Sequence, residues 1–129
     1  MRNILLDTHS FIWWVEDSPR LSVKARKLLR NIENNCFLSL ASCWELAIKS
    51  SIGKIKLTLP LRDFIPQQLA ANDFKQLNIS FRHVAKVESL DFHHRDPFDR
   101  LIAAQALEEK MNLLSVDPIF DQYKVDRIW

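Results

Sequence analysis

Four carboxylates stand where an apolar run gives way to the next segment. Asp7 follows Ile4-Leu5-Leu6 directly, and Glu45 comes shortly after Cys36-Phe37-Leu38-Ser39-Leu40. Asp99 opens the long apolar stretch of residues 101–107, and Asp117 lies just beyond residues 112–116. If those runs are parallel strands and the helices that follow them, all four acids face the edge formed by the strands' carboxyl ends, where open parallel sheets bind ligands. Carboxylates gathered on one concave edge repel one another unless a cation sits among them. An all-oxygen ligand set selects Mg²⁺ or Mn²⁺, ions that activate water and neutralise phosphate charge in phosphodiester hydrolysis. The chemistry indicated is metal-dependent cleavage of a phosphodiester.

Each acid also has a purely structural explanation. Asp7 and Asp117 are placed to cap helices, the latter ahead of Pro118. Glu45 stands three residues after Ser42, the spacing of a capping box. Asp96-Pro97-Phe98-Asp99 reads as a cap, a first-position proline and a first-turn acid favoured by the helix dipole. Caps alone do not explain why four such acids should point to one edge.

Composition removes other chemistries. Gly53 is the single glycine, so neither a dinucleotide fingerprint nor a P-loop can be formed, nor the nucleophile elbow of serine hydrolases. Cys36 and Cys43 sit among apolar residues and read as buried free thiols, in keeping with a cytoplasmic chain. Their spacing suits no common zinc site, and His93-His94 are adjacent rather than at ligand spacing. Those two histidines read as exposed loop residues, while His9 is a possible neighbour of the site. Trp13, Trp14 and Trp44 read as core or interface residues rather than base-stacking platforms. Because Trp13 and Trp14 are consecutive, one is expected to face outward, onto a dimer or partner surface. A net charge of +2 carries no argument for nucleic acid by itself. The basic stripe Lys24, Lys27 and Arg30 reads as a solvated helix face.

The elements that must position these acids follow from periodicity. Short apolar runs at residues 4–6, 36–40, 77–80 and 112–116, with a possible last one at 124–129, read as strands covered on both faces. Residues 8–15 form a short helix, and a second begins at Ser22, with Ala25, Leu28, Leu29 and Ile32 on its apolar face. A third carries Trp44, Leu46, Ala47 and Ile48 and stops near Ser51, with Gly53 beyond it. Residues 54–57 are an edge segment or extended link closed by Pro60, and residues 61–74 a helix bent or started at Pro66. Residues 81–90 form another helix, and Pro97 opens the most buried one, to about Lys110. Alternating strands and helices make this an α/β chain with a mostly parallel sheet covered on both sides. Its 129 residues suit a single domain spanning 1–129, with 47% hydrophobic and 26% charged residues. Asp7, His9 and Glu16 interrupt the N-terminal apolar stretch, which reads as strand and helix rather than signal peptide. No segment reaches the length of a membrane span.

The stretches Leu5-Leu6-Asp7-Thr8-His9, Ser42-Cys43-Trp44-Glu45-Leu46-Ala47, His94-Arg95-Asp96-Pro97-Phe98-Asp99-Arg100-Leu101-Ile102-Ala103-Ala104-Gln105-Ala106 and Ser115-Val116-Asp117 resemble the successive motifs of PIN-domain ribonucleases. More narrowly, they resemble the VapC-type toxins of bacterial toxin–antitoxin pairs. The resemblance implies a three-layer α/β/α sandwich, Mg²⁺- or Mn²⁺-dependent endoribonuclease activity, a homodimer and inhibition by a cognate antitoxin. Asp7, Glu45, Asp99 and Asp117 match the family's four acids in order, and Thr8 and Ser115 match the hydroxyl positions beside the first and last.

On this reading Asp7 and Asp99 are the main metal ligands, and Glu45 and Asp117 complete the site. Lys49 and Arg100 are either phosphate contacts or ordinary surface charge. Two rivals stand beside it. A phosphatase with a strand-end Asp nucleophile usually has a second Asp two residues on, where this chain has His9. A non-catalytic protein-binding module of the same fold would bind no metal.

Overall fold

The computed structural model describes residues 1–93 and 95–129. Its sheet contains β1 (Asn3–Leu6), β2 (Asn35–Ser39), β3 (Lys75–Leu77), β4 (Asn112–Leu114) and β5 (Asp126–Ile128) in the order β3-β2-β1-β4-β5, with every pairing parallel. Six α-helices are described: α1 (Thr8–Val15), α2 (Val23–Arg30), α3 (Leu40–Ser51), α4 (Leu61–Asn72), α5 (Phe81–Ser89) and α6 (Pro97–Glu109). A 3₁₀ helix spans Pro118–Tyr123.

The strands are apolar without alternation because both faces are covered. Ile4 and Leu6 of β1 belong to one core, with Cys36, Leu38 and Leu114 from the neighbouring strands and side chains from α1, α2, α3 and α4. Leu5 points the other way, into a core with Leu113, Ile102, Ala103, Ala106 and Phe120. One strand therefore feeds two cores through its period of two, and the result is the three-layer α/β/α sandwich expected. Residues 102–106 of α6 are all buried, as its nearly all-round apolarity implies.

The sheet runs in opposite directions from β1: chain order goes out to β3 on one side, then returns to β4 and β5 on the other. The switch point lies between β1 and β4, and a crevice opens outside their carboxyl ends. Leu6 is level with both Leu38 and Leu114, so the next residues, Asp7, Ser39 and Ser115, share one row at the rim of that crevice.

Several boundaries differ from expectation. Helix α3 begins at Leu40, immediately after β2, with Ser39 as its cap: the Ser39 hydroxyl accepts from the Ala41 N–H at 2.9 Å. Glu45 is thus in the second turn, and the Ser42–Glu45 capping box is absent. Helix α2 ends at Arg30, which leaves Ile32 97% exposed rather than on an apolar face. Strand β3 lies at residues 75–77 rather than 77–80, paired with Phe37–Ser39 at the sheet's edge. Of the two alternatives for residues 54–57, the structure shows the link rather than an edge strand. Helix α4 starts at Leu61, continues through Pro66 and ends at Asn72, with Asp73 as its cap in the left-handed conformation, φ 54°. Strand β5 is confirmed as Asp126–Ile128.

Candidate active site

Asp7 is 5% exposed at the end of β1. Its N–H donates to the Leu114 carbonyl at 3.2 Å, which ties the residue to β4. Its Oδ1 accepts the Ser10 N–H at 2.8 Å, so it does cap α1. Burial pushes its carboxyl above the usual range, opposed in part by hydrogen bonds from Ser10 and Ser115. The cap is real, yet a cap at a protein surface needs no such burial. Ser10 Oγ donates to the same Leu114 carbonyl at 3.0 Å and holds the start of α1 against β4.

Glu45 is equally buried, and caps nothing. Its Oε1 accepts the Thr8 hydroxyl at 2.6 Å, and its Oε2 is 2.8 Å from Lys49 Nζ, one helical turn on. Thr8 Oγ1 is also 2.9 Å from Ser42 Oγ. Thr8 has one proton, and the charged carboxylate is the stronger acceptor; Ser42 therefore donates to Thr8 and Thr8 to Glu45. The hydroxyl beside the first acid thus holds the second, and so links the start of α1 to α3.

Asp99 lies in the first turn of α6, whose N-cap is Asp96: Asp96 Oδ1 accepts from the N–H groups of Phe98 at 2.8 Å and Asp99 at 3.2 Å. The Asp99 carboxyl is pushed up to about 8 by burial first, then by repulsion from Asp96, Asp7, Glu45 and Asp117. Asp117 caps the 3₁₀ helix through Ile119 N–H at 3.0 Å, and its own N–H donates to Ser115 Oγ at 3.1 Å. Ser115 thus touches both the first and the last acid.

Coulomb repulsion strong enough to shift a pKa requires proximity or a low dielectric. Three acids from β1, α3 and the segment after β4 all raise Asp99, which places the four sequence-predicted residues around one crevice. Among the described residues, no three His, Cys, Asp or Glu side chains form a ready-made ligand cage. The donor chemistry nonetheless fits a hard divalent cation: carboxylate oxygens only, partly buried, with excess negative charge.

Other expectations resolve individually. His9 is exposed and stacks on Trp13 with ring centroids 5.7 Å apart. Trp13 also packs on Trp129, and Trp14 donates to Asn72 Oδ1 at 2.9 Å, so neither of the consecutive pair is the outward one. Trp44 is, at 59% exposed. Cys36 and Cys43 are buried free thiols, each pushed up to about 11 by burial. His93 is exposed and packs edge-on to Tyr123, whereas His94 lies outside the described residues. Lys49 is the ion partner of Glu45. Arg100 donates to the carbonyls of Val87, Leu90 and Asp91 at 3.3–3.4 Å and covers the Phe92 ring, which makes it a clamp between α6 and the end of α5.

Two residues escaped the sequence reading. Arg127 Nη1 donates to the Ser115 carbonyl at 3.1 Å, its guanidinium also pairs with Asp121, and the Asp117 charge acts on it. Gln105, fully buried in α6, accepts the Ser39 hydroxyl and so joins the β2–α3 junction to the helix that carries Asp99. A buried amide in an otherwise apolar helix was the available signal for Gln105; Arg127 offered none.

A parallel sheet in this order, with acids at the carboxyl ends on either side of its switch point, defines an α/β/α fold with an acidic crevice. The PIN domain family model matches residues 4–126, and the chain belongs to that family. It is 30% identical over 118 residues to Ribonuclease VapC22 of Mycobacterium tuberculosis, covering 91% of this chain and 88% of that protein. Among solved structures, the fold is similar to that of VapBC2 from Rickettsia felis bound to a DNA fragment from their promoter, with a TM-score of 0.72 at 16% identity over 98% of this chain and 97% of the other. DNA-bound VapBC from Salmonella typhimurium gives a TM-score of 0.71 at 16% identity, covering 100% and 98%. These two likenesses speak to the fold alone.

Proposed function

We propose that this chain is a metal-dependent endoribonuclease, the toxin of a toxin–antitoxin pair, that cleaves RNA phosphodiester bonds in the cytoplasm. The observation that carries the proposal is the convergence of Asp7, Glu45 and Asp117 on Asp99 from separate elements. The ribonuclease name of the related Mycobacterium tuberculosis protein supports the substrate class, and the VapBC structures support a cognate antitoxin as partner. No described helix is long and apolar enough to cross a membrane.

Asp7, Glu45, Asp99 and Asp117 are the residues that would hold Mg²⁺ or Mn²⁺. When bound, such an ion activates water for attack on phosphorus and neutralises phosphate charge. The chain's own residues prepare that site. Thr8 and Lys49 fix the two oxygens of Glu45, so its rotamer is set before substrate arrives. Ser115 and the Ser10 N–H orient Asp7. Asp96 holds the first turn of α6 and with it the position of Asp99. Such preorganisation keeps reorganisation out of the reaction step.

Purified protein is expected to nick RNA in Mg²⁺ or Mn²⁺ and to stop in EDTA. Asp7→Asn, at matched folding by circular dichroism, is expected to lose at least about 100-fold in rate, the scale of a removed electrostatic contact in an active site. Equal cleavage by that variant would sink the catalytic assignment. Where a small DNA-binding protein is encoded beside this chain, co-expression of the two is expected to yield a complex containing a homodimer of this chain.

A further inference from the structure

Glu45 reaches the acidic crevice with both of its oxygens already engaged. Oε1 accepts the Thr8 hydroxyl at 2.6 Å, whereas Oε2 lies 2.8 Å from the Lys49 ammonium. The two partners are not equivalent. A hydroxyl leaves the carboxylate's charge in place, and an ammonium neutralises it. The pair has the i,i+4 spacing of an ordinary helix contact, with the acid on the N-terminal side. Between exposed side chains such contacts contribute little. Here the Glu45 side chain is 6% exposed and its charge acts on Asp99, so the pair belongs to the crevice rather than to the surface. The Lys49 side chain is 36% exposed and lines a cleft of about 380 Å³ together with Ile48, Pro97 and Phe98. The ammonium therefore has open space to occupy away from Oε2.

We propose that Lys49 is a resident counter-cation that neutralises Glu45 in the metal-free protein and cedes it to a divalent ion, so that metal loading is an exchange of cations. The inference rests on the metal-site reading above and adds to it the regulation of that site. A buried carboxylate stripped of its counter-charge is strongly destabilising. The crevice already carries an excess of negative charge, since Asp7, Glu45, Asp96 and Asp117 all repel Asp99. Lys49 relieves part of that repulsion while no metal is present. The same positive charge repels an incoming dication and competes with it for Oε2. Thr8 holds Oε1 independently of Lys49, so loss of the ammonium does not free the Glu45 side chain. Lys49 thereby sets the metal concentration at which the crevice fills. It acts through Glu45, as a positioning residue.

The test is a calorimetric titration of Mn²⁺ into the metal-free full chain without RNA, beside thermal melts in EDTA. Lys49→Met keeps the stem and removes the charge. It should lower Tm in EDTA by several degrees, because Glu45 loses its counter-charge. In the same variant Kd for Mn²⁺ should fall roughly 10-fold, within the scale on which the partners of a ligand move metal affinity. The Tm gain on adding Mn²⁺ should grow accordingly. Lys49→Gln should shift both readings in the same directions, and it carries the test where Met is not tolerated. Lys49→Arg keeps the charge and should stay close to wild type. Weaker Mn²⁺ affinity in Lys49→Met and Lys49→Gln overturns the proposal, because Lys49 would then only hold Glu45 in place for the metal. Unchanged affinity overturns it too and leaves an ordinary helix pair. So does equal tightening in Lys49→Arg, which would remove charge as the cause. A wild-type chain that takes up no Mn²⁺ overturns the exchange together with the metal site. The titration needs no hydrolysis. Failure of the nuclease reading would appear separately, as RNA left intact by a chain that still exchanges the two cations.

Discussion

Thr8 is the residue on which two readings of the site part. Beside Asp7 in the chain, it serves Glu45, and its hydroxyl completes a path from Ser42 through Thr8 to the Glu45 carboxylate. All three side chains are buried. A buried carboxylate that loses a hydrogen-bond donor bears the desolvation cost of the lost contact. Thr8→Val keeps the shape and removes the donor. It is expected to destabilise the fold by about 1–3 kcal/mol and to lower kcat at saturating metal and RNA, because Glu45 is no longer held on one side. Urea unfolding and steady-state cleavage measure the two effects. An unchanged kcat with a shifted midpoint would make Thr8 a stability residue only.

At the scale of elements, the β2–α3 junction shows how far the sequence could be read. The identity of each element was legible, because β2 is a short run of apolar residues and α3 keeps a helical period. Its boundary was not. The apolar run of β2 flows into Leu40 and Ala41 with no turn residue between them, since Ser39 ends the strand and caps the helix at once. Ser42, three residues before Glu45, then mimicked a capping box, and only the backbone distinguishes the two serines. Strand β3 was misplaced for a different reason. It is an edge strand with mostly exposed side chains, so burial imposes little pattern on it. Among the site residues, the four acids were legible because they end apolar runs, whereas Gln105 and Arg127 act through hydrogen bonds to residues distant in sequence. Ser39 also bonds Gln105 of α6, so one hydroxyl couples the helices that carry Glu45 and Asp99. Ser39→Ala removes a cap worth ~1 kcal/mol and leaves a buried amide oxygen short of a partner at about 1–3 kcal/mol. A loss of roughly 2–4 kcal/mol in urea unfolding is expected, against about 1 kcal/mol if capping were its whole role.

At the scale of the whole molecule, the acidic crevice sets function against stability. The fold brings acids from β1, α3, α6 and the segment after β4 to one edge, and Asp99 carries the consequence: burial and its neighbours raise its carboxyl from 3.8 to about 8. In the metal-free protein the folded state therefore holds a proton that the unfolded chain has released between those values. Stability falls as pH rises wherever the folded state binds more protons than the unfolded one, so this group's contribution declines from about pH 4 and is fully unfavourable above about pH 8. A divalent cation in the crevice supplies the missing counter-charge, and it binds the folded state alone. The rise in Tm on adding Mg²⁺ or Mn²⁺ is thus expected to grow across that interval. Asp99→Asn removes the charge without changing shape. In EDTA at pH 8 it should raise Tm by several degrees, on the order of 1 kcal/mol for a domain of this size, while the metal-dependent increment and the cleavage activity are both lost. Thermal melts of wild type and Asp99→Asn at pH 5, 6.5 and 8, each with and without metal, separate the two contributions. A variant less stable than wild type in EDTA at pH 8 would show that Asp99 is held by favourable contacts, and the crevice would then be a structural acid cluster instead of a strained binding site.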